Sequence, residues 1–115
     1  MTKNKNATRY YSNNQETGVA NVLGGRKQSN SGASAFQKGD VITNKFLIEC
    51  KTCLKEKESF SIKKEWIEKN KMERFQMRKP FSCICFNFGP DSENYYVIDE
   101  KLMKYLCECL DKEDE

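Results

Sequence analysis

The chain contains no histidine, only two prolines and a single tryptophan. Without histidine, its six cysteines lack the usual partner of a mixed zinc site. They sit as Cys50/Cys53, Cys83/Cys85 and Cys107/Cys109, and only the first pair has knuckle spacing. No secretory signal accompanies them, so a disulfide framework is disfavoured as well, and most are expected to be small buried hydrophobes. Also missing is any apolar run near the roughly 20 residues that cross a bilayer, and the N-terminus is rich in Lys and Asn rather than apolar. Neither a membrane span nor a signal peptide is expected, and the expected compartment is the cytoplasm.

What is present suits one domain. The length of 115 residues lies near the mode for a single core, and 37% hydrophobic against 32% charged residues leaves enough apolar side chain for a modest one. Charge is unevenly spread. Residues 1–88 hold 17 Lys/Arg against 8 Asp/Glu, whereas residues 89–115 hold 3 against 9. A basic body favours a polyanionic partner such as nucleic acid, because each neutralised phosphate releases condensed counterions.

Residues 1–12 lack periodicity and read as a flexible basic arm. A single domain follows over 13–110, and 111–115 is an acidic tail. Val19, Ala20, Val22 and Leu23 suggest a first helix from Asn13 to Leu23, closed by Gly24-Gly25 where a left-handed cap belongs. The segment from Arg26 to Lys38 carries the small-residue run Ser31-Gly32-Ala33-Ser34-Ala35, a type of loop that approaches ligands closely. Gly39–Thr43 and Phe46–Lys51 are β-branched or apolar runs either side of Asn44-Lys45, which reads as a tight hairpin. Ser61 can cap a second helix to about Arg78, with Trp66 expected in the core. Phe81–Phe88 and Tyr95–Ile98 read as strands, and a last helix starts near Asp99. The order, roughly α-β-β-β-α-β-β-α, predicts an α/β fold with a mixed sheet flanked by helices.

A two-residue turn at Asn44-Lys45 sets the hairpin register by addition. Ile42 faces Leu47, Val41 faces Ile48, and Asp40 falls opposite Glu49, with Cβ atoms about 5 Å apart. Period-two alternation then puts Lys51 on the same side and Cys50 on the reverse. Opposed carboxylates repel unless a cation sits between them. Hard oxygen ligands suit Mg²⁺, or Mn²⁺, which one or two carboxylates hold together with waters and phosphate oxygens. An ammonium beside such an ion can polarise a nucleophile and stabilise charge developing on a phosphodiester. Asp40, Glu49 and Lys51 are therefore the candidate catalytic set. Arg26, Lys27 and Lys38 bracket it in sequence and are candidates for DNA phosphate contact. For Lys63, Lys64, Lys69 and Lys71 a solvated helix face is an equal reading, and helical phase alone does not place Lys69.

Several segments together resemble one family. They are Gln15-Glu16, Leu23-Gly24-Gly25, Ser31-Gly32-Ala33, Lys38-Gly39-Asp40-Val41, Ile48-Glu49-Cys50-Lys51-Thr52 and Phe60-Ser61-Ile62-Lys63-Lys64. Spread from about Gln15 to Tyr96, they resemble the PD-(D/E)xK nuclease superfamily, in particular its small Holliday-junction-resolvase-like and phage endonuclease members. Gly39 stands where the named motif has Pro. The resemblance implies a restriction-endonuclease-like core, with Asp40 and Glu49 as metal ligands and Lys51 as the catalytic lysine. It also implies that the Cys50 carbonyl reaches the metal, that Glu16 adds an acid from the first helix, and that Ser31 lies near the scissile phosphate. Relatives of this type act as homodimers on branched DNA. For a phage-encoded chain the expected compartment becomes the host cytoplasm. Two rivals stay open: a non-catalytic nucleic-acid-binding module of the same fold, and a small zinc-binding interaction protein built on the cysteine pairs.

Overall fold

A computed structural model of the chain describes residues 3–28 and 40–114. The element order is α1 (Lys3–Leu23), β1 (Arg26–Lys27), β2 (Val41–Ile42), β3 (Phe46–Lys51), α2 (Lys64–Gln76), β4 (Phe81–Phe86), β5 (Tyr95–Val97) and α3 (Glu100–Glu113). The five strands form one mixed sheet in the order β1-β2-β3-β4-β5, with β3 and β4 parallel and every other pair antiparallel. A parallel pair needs a crossover, and α2 supplies it. The α/β class with a mixed sheet and helices is as the sequence reads.

The hairpin register is the expected one. Val41 pairs with Ile48 and Ile42 with Leu47, and the Thr43 N–H closes the turn on the Phe46 carbonyl at 3.0 Å. Alternation along β3 then sorts its residues. Ile48, with Cys50 and Phe46 beside it, packs against Val19 and Ala20 of α1 together with Val41, Cys83 and Cys85. Leu47, Glu49 and Lys51 face the other way, toward α2, and their partners in β4 are Ser82, Ile84 and Phe86. Phe86 stacks on Phe60, which in turn meets Trp66 at the start of α2.

Gly24-Gly25 ends α1 as anticipated. Gly24 adopts φ +69°, and the Gly25 N–H reaches back to the Ala20 carbonyl at 2.8 Å, the backbone signature of a glycine-terminated helix. A Cβ on Gly25 would collide with the Ile42 carbonyl, so the close approach of α1's end to β2 requires glycine there.

Several boundaries differ from expectation. α1 starts at Lys3 rather than Asn13, because residues 3–12 contain no Gly or Pro to stop it. The strand that the expected order places before the hairpin is Arg26–Lys27, at the start of the segment read as a loop, and it pairs with Ile42 and Val41 at the sheet edge. Ser61 does not cap α2. The N-cap is Lys63, without a side-chain cap, and the helix ends at Gln76. β4 stops at Phe86. α3 begins as expected, with Asp99 accepting from the Leu102 N–H at 2.9 Å, but it stays helical into the acidic tail, to Glu113. Trp66 is half-buried rather than a core residue. Of the cysteines, Cys83 and Cys85 are buried and Cys50 and Cys53 half-buried, while Cys107 and Cys109 are exposed on α3, so the expectation of mostly buried thiols fails on the last helix.

Candidate functional site

The Asp40 side chain leaves the chain just before β2, where its N–H donates to the Ile48 carbonyl at 3.0 Å. Its Oδ2 accepts the Cys50 N–H at 2.8 Å, and its carboxyl lies close enough to that of Glu49 for each to perturb the other. The acids expected to face each other across the hairpin are thus neighbours. Lys51, two residues along β3, lies on the same face, with Nζ 3.7 Å from Glu49 Oε2. That Nζ also stands 4.4 Å from the centre of the Trp66 ring, a cation–π distance. Trp66 and Lys69 of α2, with Glu65, complete a hollow of about 230 Å³ over Glu49 and Lys51.

Electrostatics follow from this crowding. Burial, then the Asp40 charge, pushes the Glu49 carboxyl up to about 7, against the opposing pull of Lys51 and Lys69. Asp40 is held above the ordinary aspartate range by burial, although the Cys50 N–H and Lys51 oppose it. Glu16, from α1, is raised to about 7 by burial and by the Asp40 charge, with Lys27 pulling it down. Three acids are thus held at a cost in their charged forms.

The other expected residues divide. Lys27 lies beside Glu16, and its ammonium hydrogen-bonds Asn13 Oδ1. Arg26 is exposed and lines a separate hollow at the hairpin turn with Thr43, Asn44 and Lys79, so it is not gathered with the acids. Cys50 contributes its N–H to Asp40, while its thiol turns to the reverse of the sheet beside Cys85, its cross-strand neighbour. Ser31 and Lys38 lie outside the described residues.

Four residues escaped the sequence reading. Buried Gln15 donates from Nε2 to the Lys51 carbonyl at 2.8 Å and to Asn94 Oδ1 at 3.4 Å, tying α1 to the end of β3. Its place in the Gln15-Glu16 segment was the available signal. Trp66, Lys69 and Glu73 come from α2, whose phase the sequence did not reveal.

Comparison with protein-family models, curated proteins and solved structures finds no match. The chemistry therefore has to be judged on the residues. Among the described residues no group of three or more Cys, Asp or Glu is gathered tightly enough to hold a metal ion. The neighbouring acids Asp40 and Glu49 nevertheless fit Mg²⁺, which takes one or two carboxylates and fills its remaining positions with water and phosphate oxygens. Two larger hollows, about 370 Å³ between α2 and α3 and about 390 Å³ beside Leu106, are lined without such an acid pair. No helix among the described residues is long and apolar enough to cross a membrane.

Proposed function

We propose that the protein is a metal-dependent DNA endonuclease of the PD-(D/E)xK type, with a restriction-endonuclease-like core, acting on branched DNA in the manner of a Holliday junction resolvase. The supporting observation is the closeness of the Asp40 and Glu49 carboxyls, each perturbing the other, with the Lys51 ammonium 3.7 Å from Glu49, in a chain whose residues 1–88 are net basic. Two half-buried acids forced together have a strong reason to share a divalent cation and little structural reason to be there otherwise.

In this reading Asp40 and Glu49 hold Mg²⁺, or Mn²⁺, and the Cys50 carbonyl and Glu16 complete its surroundings. When bound, the ion supplies an acidified water and offsets phosphate charge. The chain's own residues do the rest. The Cys50 N–H fixes the Asp40 rotamer, Gln15 fixes the backbone at Lys51, and the Trp66 ring holds the Lys51 ammonium against the site. Lys51 donates hydrogen bonds to the attacking water and to the phosphoryl oxygens as charge develops on them. Lys27, Arg26 and Lys38 contact the DNA backbone, and Ser31 serves near the scissile phosphate, as the resemblance implies.

Two copies of the chain are the proposed active form, paired through α3. Met103, Leu106 and Leu110 form one exposed apolar face of that helix. Its first half carries Glu100, Lys101 and Lys104 and its second half Glu108, Asp111, Lys112 and Glu113, so the first half is net basic and the second net acidic, and antiparallel pairing across a two-fold axis sets opposite net charges together. The test is cleavage of labelled four-way junctions, flaps, linear duplex and single strands with Mg²⁺ or Mn²⁺. Metal-dependent incision favouring the junction is expected. Binding without incision under every condition would leave the non-catalytic module standing instead.

A further inference from the structure

The lysines of α2 do not form one solvated face. Lys64 pairs with Glu68 at the surface. Lys71 reaches away to Asp99, Nζ to Oδ2 at 3.1 Å. Lys69 alone of these lines the hollow that also contains Glu49, Lys51 and Trp66.

Its anchor is unusual. One helical turn on, Glu73 is only 7% exposed, and its Oε2 pairs with Lys69 Nζ at 3.9 Å. The other oxygen, Oε1, is buried without a hydrogen-bond partner. A buried carboxylate with an unmatched oxygen is costly, and Glu73 lies one turn from Asn70, whose Nδ2 is likewise buried without a partner. Its evident effect is to hold one cation at the mouth of the hollow. Across that hollow stands Lys51, kept in place by Glu49 and by the face of Trp66. Two ammonium groups, one from β3 and one from α2, thus border a space large enough for a phosphate group, with the Asp40–Glu49 pair alongside. The Lys69 charge is felt at both of those acids, which agrees with its position on the site side of the helix.

We propose that Lys69 is a second phosphate-contacting residue of the site, positioned by the buried Glu73, so that the hollow takes one DNA phosphodiester between Lys51 and Lys69. The inference rests on the nuclease reading and deepens it. Lys69 touches the DNA, whereas Glu73 acts through Lys69 and is a positioning residue.

The experiment compares wild type, Lys69→Ala, Glu73→Gln, the double variant and Lys71→Ala. The last removes the same charge from the same helix away from the hollow. Binding to a fluorescein-labelled four-way junction is measured by anisotropy in EDTA over a salt series, and single-turnover cleavage is measured with Mg²⁺. Lys69→Ala is expected to weaken binding by about 5- to 20-fold and to reduce the salt slope by about one, as loss of one phosphate contact requires. It is also expected to slow cleavage at saturating DNA, while Lys71→Ala changes either quantity by less than about twofold. Glu73→Gln slows cleavage in wild-type Lys69 and adds nothing in the Lys69→Ala background, a non-additivity that a merely structural role would not produce. Equal behaviour of Lys69→Ala and Lys71→Ala overturns the proposal. Should Glu73→Gln fail to fold, the exposed Lys69 variant still decides. Should wild type bind the junction but cut nothing, the nuclease reading fails while the EDTA binding arm continues to test the Lys69 contact.

Discussion

A site that forces acids together has to weaken the fold that carries it, and Glu49→Gln measures by how much. The Glu49 side chain is 19% exposed and its carboxyl is raised from 4.5 to about 7. That difference corresponds to about 3 kcal/mol between its neutral and charged forms. The folded-state value lies above the unfolded one, so the stability this group contributes is complete below about pH 4.5 and is lost as pH rises through about 7. Glutamine keeps the shape and never ionises. At pH 8 in EDTA, Glu49→Gln is expected to be more stable than wild type by about 1 to 3 kcal/mol, the lower end allowing for the lost Lys51 pair. For a chain of this size that is a rise of about 4 °C in Tm per kcal/mol. At pH 5 the advantage of the variant should shrink to about 1 kcal/mol or less. Mg²⁺ at ten times its Kd should return about 1.4 kcal/mol to wild type and little to the variant. The assay is urea or thermal unfolding at both pH values, with and without Mg²⁺. A variant no more stable than wild type at pH 8, or equally shifted at pH 5, would refute the reasoning.

Three further outcomes are expected. Asp40→Asn, Glu49→Gln and Lys51→Ala should each lower single-turnover cleavage at least about 100-fold, while anisotropy in EDTA shows junction binding largely intact in the two acid variants and weakened in Lys51→Ala, which loses a phosphate contact. Gly25→Ala should destabilise by about 1 to 3 kcal/mol in urea unfolding, because its methyl group meets the Ile42 carbonyl. Leu106→Asp and Leu110→Asp on α3 should convert a dimer to a monomer in sedimentation velocity, and unchanged sedimentation would remove α3 as the pairing surface.

How much of this was legible from residues alone depends on the element. The hairpin was, because a two-residue turn leaves no freedom in register: Val41 had to meet Ile48, which brings Asp40, just before β2, beside Cys50 and Glu49. The end of α1 was also legible, since Gly24 and Gly25 have separate backbone reasons to be glycine. The start of α1 was not, as residues 3–12 have neither an apolar stripe nor a breaker. The contribution of α2 was hidden for a related reason. Its buried residues are Asn70 and Glu73, and Met72 and Phe75 are exposed, so hydrophobic phase points away from the face that meets the sheet. Only the fold shows that Trp66 and Lys69 overhang β3. The exposed cysteines of α3 went unforeseen because an amphipathic helix with just Leu102 buried leaves most of its apolar side unpartnered.

The central claim is that Asp40 and Glu49 jointly hold one divalent cation. Its most direct test is titration with Mn²⁺, read by loss of the free-ion electron paramagnetic resonance signal, for wild type, Asp40→Asn and Glu49→Gln. Stoichiometric binding by wild type that disappears in both variants is the expected result. No binding by wild type, or binding that survives both substitutions, would contradict it.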